Sequence, residues 1–174
     1  MIEIVQAPNK KPLENFNDNI KLFIAGGISN CPNWQNDLIT KLTTEPLLKK
    51  YERIKITIFN PRAKEIPEEN TQIEWEYDRL KISDIVSFWF SEGSLNPITL
   101  FEYGSNFRNK NIVVGCHPNY QKINNVKVQT QLEKPNQKVN ENFDDFYNEL
   151  LEKTIEQIEQ KNLNRAINMF NKIK

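Results

Sequence analysis

Ile85-Val86-Ser87-Phe88-Trp89-Phe90, followed after a short polar link by Asn96-Pro97-Ile98-Thr99-Leu100-Phe101-Glu102-Tyr103-Gly104, is the stretch that decides how this chain folds. An unbroken run of mostly β-branched and aromatic residues bounded by turn formers predicts a fully buried strand. The second run predicts a helix: Asn96 suits an N-cap, and Pro97 suits the first helical position, where its missing N–H costs nothing. A strand that ends where a helix begins is half of a β-α unit, and such units build parallel sheets. Counted from Asn96, Glu102 lies about one and a half turns into this helix. That is close to the carboxyl end of a central strand, where open α/β sheets bind ligands. Glu102 is therefore a candidate nucleophile or general base. The ordinary alternative is a solvated helix glutamate.

The same alternation recurs on both sides. Upstream, Ile20-Lys21-Leu22-Phe23-Ile24-Ala25 predicts a buried strand, Gly26-Gly27-Ile28 a tight turn, and residues 32–42 a helix capped by Ser29 or Asn30. Ile54-Lys55-Ile56-Thr57-Ile58-Phe59 predicts a second strand stopped by Asn60-Pro61-Arg62, and residues 70–82 a second helix. Downstream, the helix at 97–108 leads to a fourth strand, Ile112-Val113-Val114-Gly115, and a short fifth, Val126-Lys127-Val128. Residues 133–142 form a polar segment expected to be mobile. Phe143, Phe146, Tyr147, Leu150, Leu151, Ile155 and Ile158 recur at helical spacing, so a C-terminal helix lays one face on the domain. Leu163, Ala166, Ile167, Phe170 and Ile173 continue an apolar stripe suited to a partner surface. The expectation is an α/β sheet of about five mainly parallel strands with helices on both faces, one domain over 1–160 and a helical extension over 161–174.

Composition narrows the function classes. With 174 residues, 38% apolar and 26% charged, the chain fits one globular domain with a real core. Lys+Arg and Asp+Glu are 23 each, and a net charge of zero removes the usual electrostatic reason to expect nucleic acid or an anionic membrane as partner. The first residues lack the basic flank and apolar run of a signal peptide, and no segment reaches the length of a membrane span. The expected setting is cytoplasmic. Cys31 and Cys116 are isolated from each other, and His117 is the only histidine. A structural zinc site or a Cys/His hydrolase is not expected.

Candidate site residues follow from position. Gly26-Gly27 lacks the third glycine of a dinucleotide fingerprint and the Gly-Lys-Ser/Thr of a phosphate loop, so it is either a plain turn or a place where backbone approaches a ligand. Arg62, after the second strand, is a candidate for holding an anionic or hydroxylated substrate. If Ile73, Tyr77 and Leu80 form the buried stripe of the second helix, Glu76 falls at its margin and faces the crevice, whereas Glu74 and Asp78 turn away. The alternative for Glu76 is a rim residue paired with a lysine. Asp84 is expected to fix the start of the third strand by hydrogen bonds.

In order and spacing, Leu22-Phe23-Ile24-Ala25-Gly26-Gly27-Ile28, Asn60-Pro61-Arg62, Gln72-Ile73-Glu74-Trp75-Glu76, Asp84-Ile85-Val86-Ser87-Phe88-Trp89 and Leu100-Phe101-Glu102-Tyr103-Gly104 resemble the nucleoside 2-deoxyribosyltransferases, in particular their deoxyribosyltransferase-like branch. The resemblance covers roughly residues 20–130 and implies a flavodoxin-like, doubly wound fold. It implies Glu102 as the nucleophile that attacks the anomeric carbon, and Glu76, where better-known members carry aspartate, as the carboxylate that binds the base. Asn96 stands where those members carry a second acidic residue that helps hold the base, and Phe23 where they carry tyrosine. Gly26, Gly27, Arg62, Asp84 and Trp89 complete the candidate substrate contacts. Phe23, Trp34 and Trp89 are candidates for stacking on the base, with plain core as the alternative.

Such a site needs no metal or organic cofactor. A carboxylate beneath the anomeric carbon stabilises an oxocarbenium-like transition state and can capture it covalently. The resemblance implies a nucleoside or nucleotide substrate and a homo-oligomer, since family members close the site with a neighbouring subunit. Three readings stay open: N-glycosyl transfer, hydrolysis of a nucleoside, nucleotide or NAD on the same scaffold, and a non-catalytic nucleotide-binding module.

Overall fold

Six parallel strands make one sheet in the computed structural model, which describes residues 1–9, 11–16, 18–63, 69–108 and 110–171. They are β1 (Ile2–Gln6), β2 (Ile20–Gly26), β3 (Ile56–Asn60), β4 (Ile85–Phe90), β5 (Ile112–Cys116) and β6 (Val139–Asn140), in the spatial order β1-β3-β2-β4-β5-β6. Every pairing is parallel. Without the edge strand β1, the order of the remaining five is that of flavodoxin-like sheets. The expected fold is therefore the observed one, with six strands rather than about five.

The strand period of two sorts side chains into two cores. From β2 and β4, Phe23, Ala25, Val86, Phe88 and Phe90 enter one core, where they meet Trp75 and Leu80 of α3 (Glu69–Ile82), Tyr103 of α4 (Pro97–Asn106) and Val126 of α5 (Ile123–Glu133). Leu22, Ile24, Ile85 and Trp89 enter the other, against α1 (Trp34–Thr44), the short α2 (Pro46–Lys49) and α6 (Phe143–Asn171). Helices thus cover both faces.

Four expectations change. Val126-Lys127-Val128 is helical: Val126 and Thr130, one turn apart on α5, are both buried, and this packing outweighs the β preference of valine. The last strand is β6 instead, inside the segment expected to be mobile. Asn140 Nδ2 pins it to Val114 O at 3.1 Å. β1, not read from the sequence, pairs along the whole of β3. α1 is capped by Asn33, whose Oδ1 accepts from Asn36 N at 3.3 Å, rather than by Ser29 or Asn30.

α6 runs without a break through Gln160, and Leu163, Ile167, Met169 and Phe170 on its last turns are exposed. Ile173 lies outside the described residues. Among those residues no helix is long and apolar enough to cross a membrane.

Candidate active site

The chain leaves β2 for β3 on one side of the sheet and then crosses to β4 on the other, so the strand order reverses between β2 and β4. Neighbouring loops diverge at such a point and open a crevice at the carboxyl ends of the strands. A cavity of about 580 Å³ lies there. Gly26 and Gly27 contribute backbone from the end of β2, Gln72, Ile73 and Glu76 come from α3, and Asn96, Pro97, Ile98, Thr99 and Glu102 from the start of α4.

Glu76 and Glu102 therefore share one pocket, from two different helices. Burial, followed by the like charge of Glu76, pushes the Glu102 carboxyl up to about 8. Burial also raises Glu76, opposed by a hydrogen bond from Gln72 Nε2 to Glu76 Oε1 at 2.8 Å. Among the described residues lining the cavity there is no Lys, Arg or His to offset this charge. Burial thus favours the neutral form of both carboxyls, the kind of setting in which a site divides the roles of acid and nucleophile between two carboxyl groups.

Gln72 was not singled out from the sequence. Its amide also donates to Pro61 O at 3.2 Å, tying α3 to the end of β3 while it orients Glu76. The available signal was its spacing, one helical turn before Glu76. Ser29, Ser94 and Thr99 also line the cavity, and no motif marked them.

The glycines matter for space. A Cβ on Gly26 would lie 2.3 Å from Trp34 Cζ2 and 2.5 Å from Trp89 O, and one on Gly27 would lie 2.1 Å from Asn96 Oδ1. Arg62 stands beside the cavity and not in its wall. Its Nε donates to Gln35 Oε1 at 3.0 Å and its Nη2 to Pro32 O at 3.2 Å, which fastens the loop after β2.

Asp84 is at the opposite end of β4, where its Oδ2 accepts from Lys21 N at 2.7 Å and pairs with Lys21 Nζ at 3.1 Å. Phe23 and Trp89, only 1% and 4% exposed, are core residues, as is Trp34. A strand side chain sandwiched between sheet and helices cannot reach a pocket beyond the strand's end. The apolar wall is made by Ile28, Pro61, Ile73, Pro97 and Ile98 instead.

Two local readings are corrected. Ile73 and Tyr77 are 56% and 57% exposed, and the buried stripe of α3 is Trp75, Arg79 and Leu80. Trp75 Nε1 donates to Asn9 O at 2.9 Å and Arg79 Nη2 to Lys11 O at 2.9 Å, so the loop after β1 sets the rotation of this helix. Glu76 remains half-buried at the stripe's margin. Asn96 occupies the cap position of α4 without capping it: its backbone is left-handed (φ 48°, ψ 52°) and no side-chain cap bond forms.

Among the described residues no group of three or more His, Cys, Asp or Glu could hold a metal ion, and Cys31 and Cys116 are free thiols.

Residues 19–120 match the protein family described as nucleoside 2-deoxyribosyltransferase like. The match spans more than half of the chain, and the chain belongs to that family. A comparison with curated proteins gives no match.

Proposed function

We propose that the protein cleaves the N-glycosidic bond of a nucleoside or deoxynucleoside and transfers the glycosyl group through a covalent intermediate on Glu102. The observation that carries this reading is the pair Glu76 and Glu102, two carboxyls raised by burial in one pocket whose described lining holds no cation. In the empty pocket burial and the like charge of Glu76 favour the protonated form of Glu102. A base bound against Glu76 strips water from that carboxyl, draws the proton to it and leaves Glu102 ionised. Glu102 then forms a bond to the anomeric carbon as the bond to the base nitrogen breaks. The electron pair goes to the base, which takes the proton from Glu76. An incoming base reverses these steps.

The same wall favours an uncharged nucleoside over a monophosphate or NAD, because a phosphate would face two acids and, among the described lining residues, no cation. Incubation with deoxynucleosides, ribonucleosides, monophosphates and NAD, with and without a second free base, tests the reading. Cleavage of nucleosides that becomes exchange when a second base is added is the expected result. Cleavage to free sugar alone would select the hydrolase, and binding without turnover the non-catalytic module.

Assembly belongs to the proposal. Leu163, Ile167 and Phe170 form an exposed stripe at the end of α6, and each such side chain gains roughly 1.5–3 kcal/mol when buried. A homo-oligomer that uses this helix is expected by light scattering, and truncation after Gln160 should dissolve it. A monodisperse full-length monomer with full activity would contradict this.

A further inference from the structure

We infer that Gln72 is a positioning residue for the acid: its amide claims Glu76 Oε1 as a permanent acceptor, so the proton that passes to the base is carried by Glu76 Oε2 alone. The inference rests on the proposed nucleoside reaction and adds how the fold prepares one carboxyl oxygen for it.

The orientation of the amide follows from its partners. Gln72 Nε2 lies 3.2 Å from Pro61 O and 2.8 Å from Glu76 Oε1. A backbone carbonyl only accepts, so the end of the amide that faces Pro61 is the NH2 group, and its two hydrogens serve two acceptors. That nitrogen donates and cannot accept from a protonated Glu76. Whatever the charge of Glu76, Oε1 must therefore accept. A carboxylic acid carries its proton on one oxygen and accepts at the other. The proton is left to Oε2, which receives no hydrogen bond from any described residue.

A glutamine one turn before a glutamate on an open helix face contributes only roughly 0.2–0.5 kcal/mol. Gln72 and Glu76 are half-buried instead. The bond to Pro61 O, just past the end of β3, also fixes the amide from outside its own helix. Pro61, Gln72 and Glu76 all line the cavity that holds Glu102. The amide sets charge as well as direction. An N–H bonds a carboxylate more strongly than a neutral acid. Burial raises the Glu76 carboxyl, and the Gln72 bond opposes it. The charge kept on Glu76 is in turn a cause, after burial, of the raised Glu102 carboxyl. Without the amide, Glu76 should take up its proton at higher pH and on either oxygen.

The test is Gln72→Met, which keeps the length and helix preference of the side chain and removes the amide. Natural nucleosides need the proton, whereas nucleosides with a good leaving group do not. The variant is expected to lower kcat about ten- to a hundredfold for the first class and less than about threefold for the second, since a misdirected acid forfeits part of the roughly hundred- to ten-thousandfold that proton transfer contributes. The pH limb belonging to Glu76 should move upward. In a Glu76→Gln background Gln72→Met should add nothing, because a residue that acts through Glu76 then has nothing to act on. Gln72→Glu, of the same size, is a second check. Its acid form gives its one hydrogen to Pro61 O and can only accept from Glu76, which draws the proton away from the base, so natural nucleosides should again be slowed. Equal slowing of both classes, a full further loss in the Glu76→Gln background, or near-wild-type rates on natural nucleosides in Gln72→Met or Gln72→Glu would overturn the inference. A readout apart from turnover is the carbon-13 resonance of the Glu76 carboxyl, identified by its loss in Glu76→Gln, whose titration midpoint should rise in Gln72→Met. If the wild type cleaves no nucleoside, the proposed reaction fails. An unmoved midpoint then overturns the control of Glu76 by Gln72 as well, and a raised one supports it.

Discussion

Strand β4 has carboxylates at both ends, in opposite settings. At its amino end Asp84 receives the backbone N–H and the ammonium of Lys21, an arrangement that ties β4 to β2. At its carboxyl end Glu76 and Glu102 face a pocket whose described lining holds no cation, with the Gln72 amide steadying Glu76. The first setting stabilises the fold by satisfying a charge. The second stores electrostatic cost where the proposed reaction requires charge to appear and disappear, the arrangement by which buried sites tune acids and nucleophiles.

The largest test of this contrast removes the nucleophile. Glu102→Gln keeps the size of the side chain and should lower turnover by at least roughly a hundredfold, the scale of a deleted electrostatic or covalent contribution. It should also change stability in the opposite sense. The Glu102 carboxyl titrates near 8 in the folded protein against 4.5 ordinarily. Its contribution to stability is thus complete below the ordinary value and lost as pH rises through about 8. The Gln variant lacks that loss, so thermal melts should show it gaining on the wild type between about pH 5 and pH 9, by an amount on the order of 4 kcal/mol. A constant difference across that window would break the contrast.

Glu76→Gln should slow natural nucleosides, which need a proton on the leaving base, far more than substrates with a good leaving group. In the residual activity the limb belonging to Glu102 should move to lower pH, because a like charge is gone, and remain above the ordinary carboxylate range, because burial is the larger cause. Equal slowing of both substrate classes would reduce Glu76 to a positioning residue. The smallest effect is expected at the other end of the strand. Asp84→Asn should cost about 1 kcal/mol of stability in denaturant titrations, the scale of a partly exposed pair with one charged hydrogen bond. Turnover should stay within about twofold, and a large loss would mean that the two ends are coupled.

The sequence was most legible where one short stretch carried the whole local signal. The run 85–90 and the Asn96-Pro97 pair were enough to read β4, α4 and the approach of Glu102 to the strand ends, because burial and proline geometry act locally. Where the outcome depended on distant partners the reading went astray. The buried face of α3 is set by Asn9 and Lys11 in the loop after β1, and a reading without β1 put Ile73 and Tyr77 inside. β6 is a two-residue strand held by Asn140, too short for any periodicity to register. Phe23 and Trp89 looked available for stacking because their strands lead to the pocket, yet side chains within a covered sheet face the two cores. Asn96 was read as a cap from its residue type, and only its left-handed backbone turns the amide away from the helix.

Covalent capture by Glu102 is the central claim, and rapid quenching followed by peptide mass spectrometry tests it most directly. Protein stopped during turnover of a deoxynucleoside should carry a deoxyribosyl ester on the peptide that contains Glu102, and the adduct should vanish when a second base is added in excess. Turnover at full rate with Glu102 unmodified at every time point, and preserved in Glu102→Gln, would contradict it.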